Sequence, residues 1–362
     1  MTSPNAIAVT DAWSGDALVI GGGPAGCATA ITLARRGLAV CLVDDGRRTS
    51  WPGETLPPGS TTVIADIFGP LALTGHDQAF CVRAAWETEE LHATDALDHP
   101  LGEGWLLDRH AFDREVRSSA ARSGVTIAEG HALVSRGIDG TWTARVRDRA
   151  CRAALLIDAT GRSAVISRRV GARLEHGSRL LACIVTCPGR GDRIQATTVE
   201  SVPQGWWYST PTPAGGRVLA LVSDADLIPR GTDRLDWWLA SLRATRHLRE
   251  LVPEGLVLQG QASSGMKVSQ AGTGWLTEPC GPGWIAVGDA AAHFDPLSSQ
   301  GLLTGILMGA RAGQAVVEDS LADWRVDYRM LIDEHLGLAA YYYGLVHRWP
   351  QSPFWMRRIH EH

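Results

Sequence analysis

The chain has 362 residues, 45% hydrophobic and 20% charged, with a formal net charge of −5. That length exceeds one ordinary core and suits two packed domains. The composition is that of a soluble globular protein, no apolar run is long enough to span a bilayer, and the negative charge argues against bulk nucleic-acid binding, so neither membrane nor nucleic acid is an expected partner.

Met1 to Asp16 is small and polar. It lacks the basic and apolar regions of a secretory signal, and reads as a loose tail of a cytoplasmic protein. Ala17 to Ile20 is a short apolar run that ends in Gly21-Gly22-Gly23-Pro24-Ala25-Gly26. A helical pattern follows from Cys27 to Arg36 and stops at Gly37. Leu38 to Val43 is a second apolar run, closed by Asp44-Asp45, so the segment reads as a βαβ unit. Trp51 to Ser60 is a Pro/Gly-rich loop before a short helix near Thr62 to Phe68. Asp108 to Ser123 is amphipathic, with Ala111, Phe112, Val116 and Ala120 on one face. Strands are expected at Val125 to Ile127, Ala132 to Val134 and Ala153 to Ile157, with a hairpin near Gly140.

The texture changes between about 175 and 270. Leu180 to Thr186, Gln195 to Ser201, Trp206 to Thr210 and Arg217 to Val222 are β-rich runs between Pro/Gly turns. A covering helix is expected over Asp233 to Leu251. Trp284 to Val287 returns to a buried strand, a long helix follows from Ser299 to Leu321, and the remainder is helical and aromatic. Seven cysteines (27, 41, 81, 151, 183, 187, 280) are scattered without a C-x-x-C pair, which predicts buried free thiols and no metal. Cations are almost all Arg, and Lys267 is the only lysine.

The first βαβ unit carries the clearest chemistry. In Gly21-x-Gly23-x-x-Gly26 the first glycine makes a tight turn, the second admits a pyrophosphate to the backbone, and the third lets helix and strand pack closely. Pro24 and Ala25 belong to this turn, and the N-terminus of the helix that follows favours negative charge. Asp44 is placed to accept from a ribose hydroxyl. Arg47 and Arg48 are within reach of an adenosine phosphate or are simply solvated.

Four further segments extend this. Gly288-Asp289-Ala290-Ala291 with Asp295-Pro296-Leu297-Ser298-Ser299-Gln300-Gly301 resembles the second flavin motif of the para-hydroxybenzoate hydroxylase-like flavoproteins. Asp158-Ala159-Thr160-Gly161-Arg162 resembles their middle motif, and Asp108-Arg109-x-x-Phe112-Asp113 the start of their second flavin-domain helix. Pro52-Gly53-Glu54-Thr55-Leu56-Pro57 is similar to a loop of the flavin-dependent halogenase branch. The resemblance spans roughly residues 16 to 320. It implies an α/β fold: a Rossmann-like FAD-binding domain (1–75, 100–174, 275–320), an inserted antiparallel β-sheet substrate domain (76–99, 175–274) and a helical C-terminus (321–362).

By the same resemblance Asp289 binds the ribityl chain of FAD, Gly288 precedes it, Pro296 packs near the isoalloxazine, and Ser299, Gln300, Gly301 and Leu302 meet its pyrimidine edge. Arg109 lies near the diphosphate, and Leu133 joins the cofactor contacts. An extra alanine shifts His293 by one position from the hydroxylases' histidine. No second glycine turn of this quality occurs, so electrons are expected from transient NAD(P)H or from a partner flavin reductase, with O2 as co-substrate.

The leading expectation is an FAD-dependent monooxygenase that hydroxylates an electron-rich aromatic through a C4a-hydroperoxyflavin. Trp206, Trp207 and Tyr208 are its candidate substrate wall, or ordinary sheet packing. Glu54 and His293 are its candidate catalytic residues; a capping carboxylate and a structural histidine are the bland alternatives. Similarity to the flavoproteins that hydroxylate tryptophan in quinone-cofactor maturation implies a small aromatic molecule of secondary metabolism or a peptidyl tryptophan as substrate. The alternatives are a halogenase, a dehydrogenase or double-bond reductase similar to geranylgeranyl reductases, and a flavoprotein that mainly binds a partner. Halogenases of this family use a lysine placed after the Glu54 loop, and this chain has none there.

Overall fold

A computed structural model describes residues 12–47, 53–71, 74–95, 101–189, 196–231, 233–259 and 265–359. The first strand, Trp13–Ile20, begins earlier than its apolar run, inside the stretch expected to be tail. It is the centre of a twisted sheet. Trp284–Ala286, Arg149–Asp158, Trp13–Ile20, Val40–Asp44 and Thr126–Glu129 lie side by side in that order, each pair parallel. Leu18, Val19, Leu42, Leu156, Ile157 and Ile285 are wholly buried, as strands covered on both faces require. A hairpin, Ala132–Arg136 with Trp142–Val146, hangs antiparallel on Arg149–Asp158.

The register decides where the site falls. Ile20 pairs with Val43 and Asp158, and Asp158 pairs with Ala286. The carboxyl ends of four strands therefore coincide. The Gly21 turn, Asp44, the Asp158 motif and Gly288-Asp289 gather on one edge of the sheet, where ligands of such folds bind.

Helix Pro24–Arg35 lies against helix Gly301–Val317. The contact needs glycine: a Cβ at Gly309 would sit 2.4 Å from the Ala25 carbonyl oxygen, and one at Gly313 would sit 2.9 Å from Thr32 Cβ. The close approach also lets the Thr29 hydroxyl donate to the Gly309 carbonyl at 2.9 Å. This helix starts two residues later than its pattern suggested, because Ser299 adopts a left-handed conformation, φ 53°. A separate helix, Leu321–Gly344, then runs on into the C-terminal segment.

A second sheet of seven strands is almost wholly antiparallel. Its order is Lys267–Gln270, Leu180–Pro188, Gly216–Asp224, Gly205–Pro211, Ala196–Val202, Cys81–Ala85 and His92–Asp95, with one parallel pair between Ala196–Val202 and Cys81–Ala85. Side chains alternate between its faces. Trp207, Leu219 and Leu221 face helix Asp233–Ala244 and its Trp238. Trp206, Val218 and Ala220 face the C-terminal residues Tyr343, Val346, Phe354 and Trp355. The covering helix is shorter than expected. The buried Glu200 carboxylate accepts from the backbone N–H groups of Arg246, His247 and Leu248 at 2.6, 3.0 and 3.0 Å, which stops the helix and starts a short 3-10 turn at Leu248.

The expected loop 51–60 contains a short strand, Glu54–Leu56, paired with Gly104–Leu107. That pairing sets Glu54 opposite Leu107 and beside the helix Arg109–Arg122. The seven cysteines are free. Among the described residues, no helix is long and apolar enough to cross a membrane.

Candidate active site

A cleft of about 750 Å³ runs from the carboxyl edge of the parallel sheet to the seven-stranded sheet. Its glycine-turn end is backbone. Gly21 has φ 115°, and a Cβ there would lie 2.1 Å from the Ala159 carbonyl oxygen. At Gly26 a Cβ would meet the Gly21 carbonyl oxygen at 2.1 Å, so strand and helix can touch only through glycine. Gly23 differs: it lines the cleft, and a Cβ there would meet nothing within 4 Å. That open flank is the approach a pyrophosphate needs. Helix Pro24–Arg35 and helix Gly301–Val317 both present N-termini to the cleft, and neither carries an acid in its first turn. Two positive helix ends in one cleft fit an anionic dinucleotide.

Asp44 is buried at the strand end, and Arg117 Nε lies 3.5 Å from its Oδ2. Asp158 is wholly buried and structural. Its two oxygens accept from Thr160 (N and Oγ1), Ile166 N and Ser167 (N and Oγ), so it fixes the turn that brings Arg162 to the cleft. The Arg162 guanidinium pairs with Asp289 at 3.3 Å and donates to the carbonyls of Gln270, at 3.0 Å, and Phe294, at 3.1 Å. One side chain thus ties the middle motif, the second sheet and the Asp289 segment together. Arg162 stands in the Asp-Ala-Thr-Gly-Arg motif, so the signal for it was in view, yet sequence reasoning did not single it out.

The middle of the cleft holds Glu54, Arg109 and Asp113. Arg109 lies 2.7 Å from Glu54 Oε1 and 3.2 Å from Asp113 Oδ1. Burial pushes the Glu54 carboxyl up from its ordinary value, Arg109 opposes that, and Asp289 and Asp113 reinforce it. Arg109 loses hydration here but is held charged by Glu54 and Asp113. The site therefore contains a carboxyl that takes a proton more readily than an exposed one.

At the far end, Trp206 and Tyr208 line the cleft. Trp206 itself is wholly buried and offers no open ring surface; its indole N–H donates to the Tyr343 hydroxyl at 2.9 Å. Tyr208 donates to the Gly53 carbonyl at 2.9 Å and so clamps the Glu54 strand to the wall. Burial pushes its phenol up to about 12, so it remains a donor near neutral pH.

Four expected site residues fall elsewhere. Trp207 points to the opposite face and packs on Trp238, ring centroids 4.9 Å apart, because neighbours in a strand alternate. Leu133 fails by the same rule: it is 63% exposed, while Ala132 and Val134 line the cleft. His293 is buried behind the wall, its Nδ1 3.3 Å from the Asp289 carbonyl, and burial together with Arg162 lowers its pKa. It does not line the cleft. Gln300 is exposed at the start of its helix, whereas its neighbours Ser299, Gly301 and Leu302 line the cleft. Arg47, Asp289 and Pro296 also line it. Arg48 and Pro52 lie outside the described residues.

A parallel sheet with a glycine turn, two helix N-termini, a buried acid at a strand end and a second-sheet wall fit the class of FAD-dependent oxidoreductases. Residues 16–182 match the family model for FAD dependent oxidoreductases. The chain is 26% identical to LodB of Marinomonas mediterranea, assigned as a FAD-dependent oxidoreductase, over 95% of this chain and 96% of that one. It is 24% identical to the 1H-pyrrole-2-carbonyl peptidyl-carrier-protein brominase of Pseudoalteromonas luteoviolacea, over 86% of this chain and 80% of that one. In fold it is similar to the peptidyl tryptophan dihydroxylase QhpG, essential for tryptophylquinone cofactor biogenesis: TM-score 0.79, 24% identity, 96% of this chain and 79% of that one.

Proposed function

We propose that the protein hydroxylates an electron-rich aromatic, an indole or a phenol, with FAD and O2. The observation that carries this reading is the continuity of the cleft: one cavity joins the Gly21 turn, Glu54, Arg109 and the half-buried Tyr208 of the seven-stranded sheet. A dinucleotide bound at the first end reaches toward that aromatic side chain at the second. The seven-stranded sheet is then the substrate domain. Reduced FAD, when bound, supplies the oxygen-activating chemistry, and NAD(P)H or a partner flavin reductase supplies its electrons.

The chain's own residues have three tasks in this reading. The two helix N-termini hold the negative charge of the cofactor. Tyr208, with the buried Trp206 beneath the same sheet surface, orients the ring and keeps water from its face. Glu54, charge-balanced by Arg109, moves a proton beside the reacting centre. Glu54→Gln keeps the shape and removes the proton, so reduced FAD should still consume O2 while hydroxylated product per O2 falls roughly tenfold or more. Unchanged coupling in that variant removes Glu54 from the mechanism.

A halogenase reading is favoured by the Gly53-Glu54-Thr55-Leu56-Pro57 loop and by similarity to the brominase. The cleft opposes it. Lys267, the only lysine in the chain, is exposed on a sheet-edge strand and does not line the cleft. The similarity to QhpG supports an indole-bearing substrate, free or in a peptide. Reduced, FAD-loaded protein given O2, chloride or bromide, and an indole or a phenol separates the readings by product mass. Hydroxylation adds one oxygen; a halide-dependent mass overturns it.

A further inference from the structure

The carboxylates that line the cleft differ in what holds them. Apart from the exposed Asp45, four are paired with arginine. Asp44 has Arg117 at 3.5 Å, Glu54 and Asp113 share Arg109 at 2.7 and 3.2 Å, and Asp289 has Arg162 at 3.3 Å. Asp295 is the exception. It is buried, it lines the cleft at its Trp206 end, and no ion pair to it is present among the described residues. Its partners are hydrogen-bond donors instead: the Leu297 backbone N–H to Oδ1 at 3.0 Å, and the Tyr343 hydroxyl to Oδ2 at 2.6 Å. A carboxylate has about four acceptor positions, so two donors leave capacity for a ligand.

Tyr343 reaches Asp295 from the C-terminal helix Leu321–Gly344, and its oxygen also accepts from Trp206 Nε1 at 2.9 Å. Trp206 and Asp295 both line the cleft, and Tyr343 joins them from behind. The C-terminal segment is anchored for this. Arg358 stacks over the rings of Tyr343 (4.9 Å) and Phe354 (3.6 Å) and pairs with Asp224 at 2.8 Å. Trp355 Nε1 donates to the Val202 carbonyl at 2.8 Å.

We propose that Asp295 is the proton-accepting residue for a hydroxyl- or N–H-bearing aromatic in the cleft, and that Tyr343 is its positioning residue. This rests on the aromatic-substrate reading above. In the step, the substrate O–H or N–H bond breaks and the proton forms a bond to an Asp295 carboxylate oxygen. The electron pair stays on the substrate oxygen or nitrogen and enriches the ring. No electrons leave the pair, and Tyr343 turns from donor to acceptor as Asp295 gains the proton. Burial raises the Asp295 pKa, in the direction such a role needs, while Tyr343, Leu297 and the more distant Arg358 and Arg162 oppose the shift. His335 lines a small cavity together with Asp295 and is stacked on Phe294 with centroids 3.9 Å apart.

The test uses FAD-loaded protein and para-nitrophenol, whose ionised form is read by its absorbance. Asp295 and a bound phenol compete for one negative charge, so losing both protons is disfavoured. Full ionisation of the bound probe should occur about one pH unit higher in the wild type than in Asp295→Asn, a tenfold effect. Asparagine keeps the shape, still accepts from Leu297 and can donate to Tyr343. Tyr343→Phe removes a hydroxyl that stabilises the charged carboxylate, so it should raise the midpoint further. A probe that binds with the same midpoint in wild type and Asp295→Asn overturns the proposal and leaves the aromatic reading intact. If Asp295→Asn does not retain FAD, an unchanged midpoint in Tyr343→Phe overturns it alone. A probe that does not bind the wild type removes the aromatic reading and this proposal with it.

Discussion

At the glycine-turn end of the cleft the wall is main chain: a glycine turn, two helix N-termini, and strand ends aligned by parallel register. At the Tyr208 end the wall is side chains drawn from far apart in sequence. Glu54 comes from a short strand, Trp206 and Tyr208 from the second sheet, Asp295 from the loop before a helix, and Tyr343 behind them from the C-terminal helix. At Gly21 and Gly26 the first end admits no Cβ, because backbone meets backbone there. The second is built of side chains brought together by the packing of separate elements. A fold can therefore keep one cofactor and vary its substrate.

The largest effect is expected where backbone meets backbone. Gly26→Ala places a Cβ 2.1 Å from the Gly21 carbonyl oxygen. FAD affinity, followed by quenching of flavin fluorescence, should fall at least about tenfold as the turn shifts. Retained affinity would break the contrast between the two ends.

A paired change on the second sheet comes next. Trp207→Ala removes a wholly buried ring packed on Trp238 and should cost about 3–5 kcal/mol of stability in denaturant unfolding. Aromatic ligand binding by the folded fraction should be unaffected. Trp206 is also wholly buried, but its indole N–H holds the Tyr343 hydroxyl that bonds Asp295 at the cleft, so Trp206→Ala should weaken that binding as well as the fold. Equal effects of the two on ligand binding would mean that strand alternation does not separate their roles.

The smallest effect is a pH dependence. Burial holds the Asp295 carboxyl above its ordinary value in the fold, so the folded state binds its proton more tightly than the unfolded one. The stability from that proton is fully present below the unfolded pKa and is lost as pH rises through the raised one. Asparagine mimics the neutral form and carries no such loss. Thermal scans should show Asp295→Asn at or above the wild type near neutral pH, with the difference shrinking in acid. A variant destabilised equally at every pH would contradict this.

Much of the geometry at the glycine-turn end was legible because its determinants are local. Gly21, Gly23, Gly26 and Asp44 sit within one βαβ unit, where spacing alone dictates geometry. Glu54 was legible through its loop motif, although its short strand was not. Trp206-Trp207-Tyr208 was read as one wall, yet a strand must split it between two faces, and Leu133 fails for the same reason. His293 looked catalytic beside Asp289, but its strand pairing with Gly274 turns it behind the wall. Glu200 ends a helix 46 residues away by capturing the Arg246 N–H, which no local pattern encodes. Tyr343 follows two other tyrosines, Tyr341 and Tyr342, and only the packing of its helix selects the one that meets Asp295.

The central claim, that both ends of this cleft serve one oxygen transfer, is tested most directly by the product itself. Reduced, FAD-loaded protein should turn an offered indole or phenol into a compound one oxygen atom heavier, with the added atom drawn from labelled O2. Turnover that proceeds unchanged without O2, or a product that carries halide in place of oxygen, would contradict it.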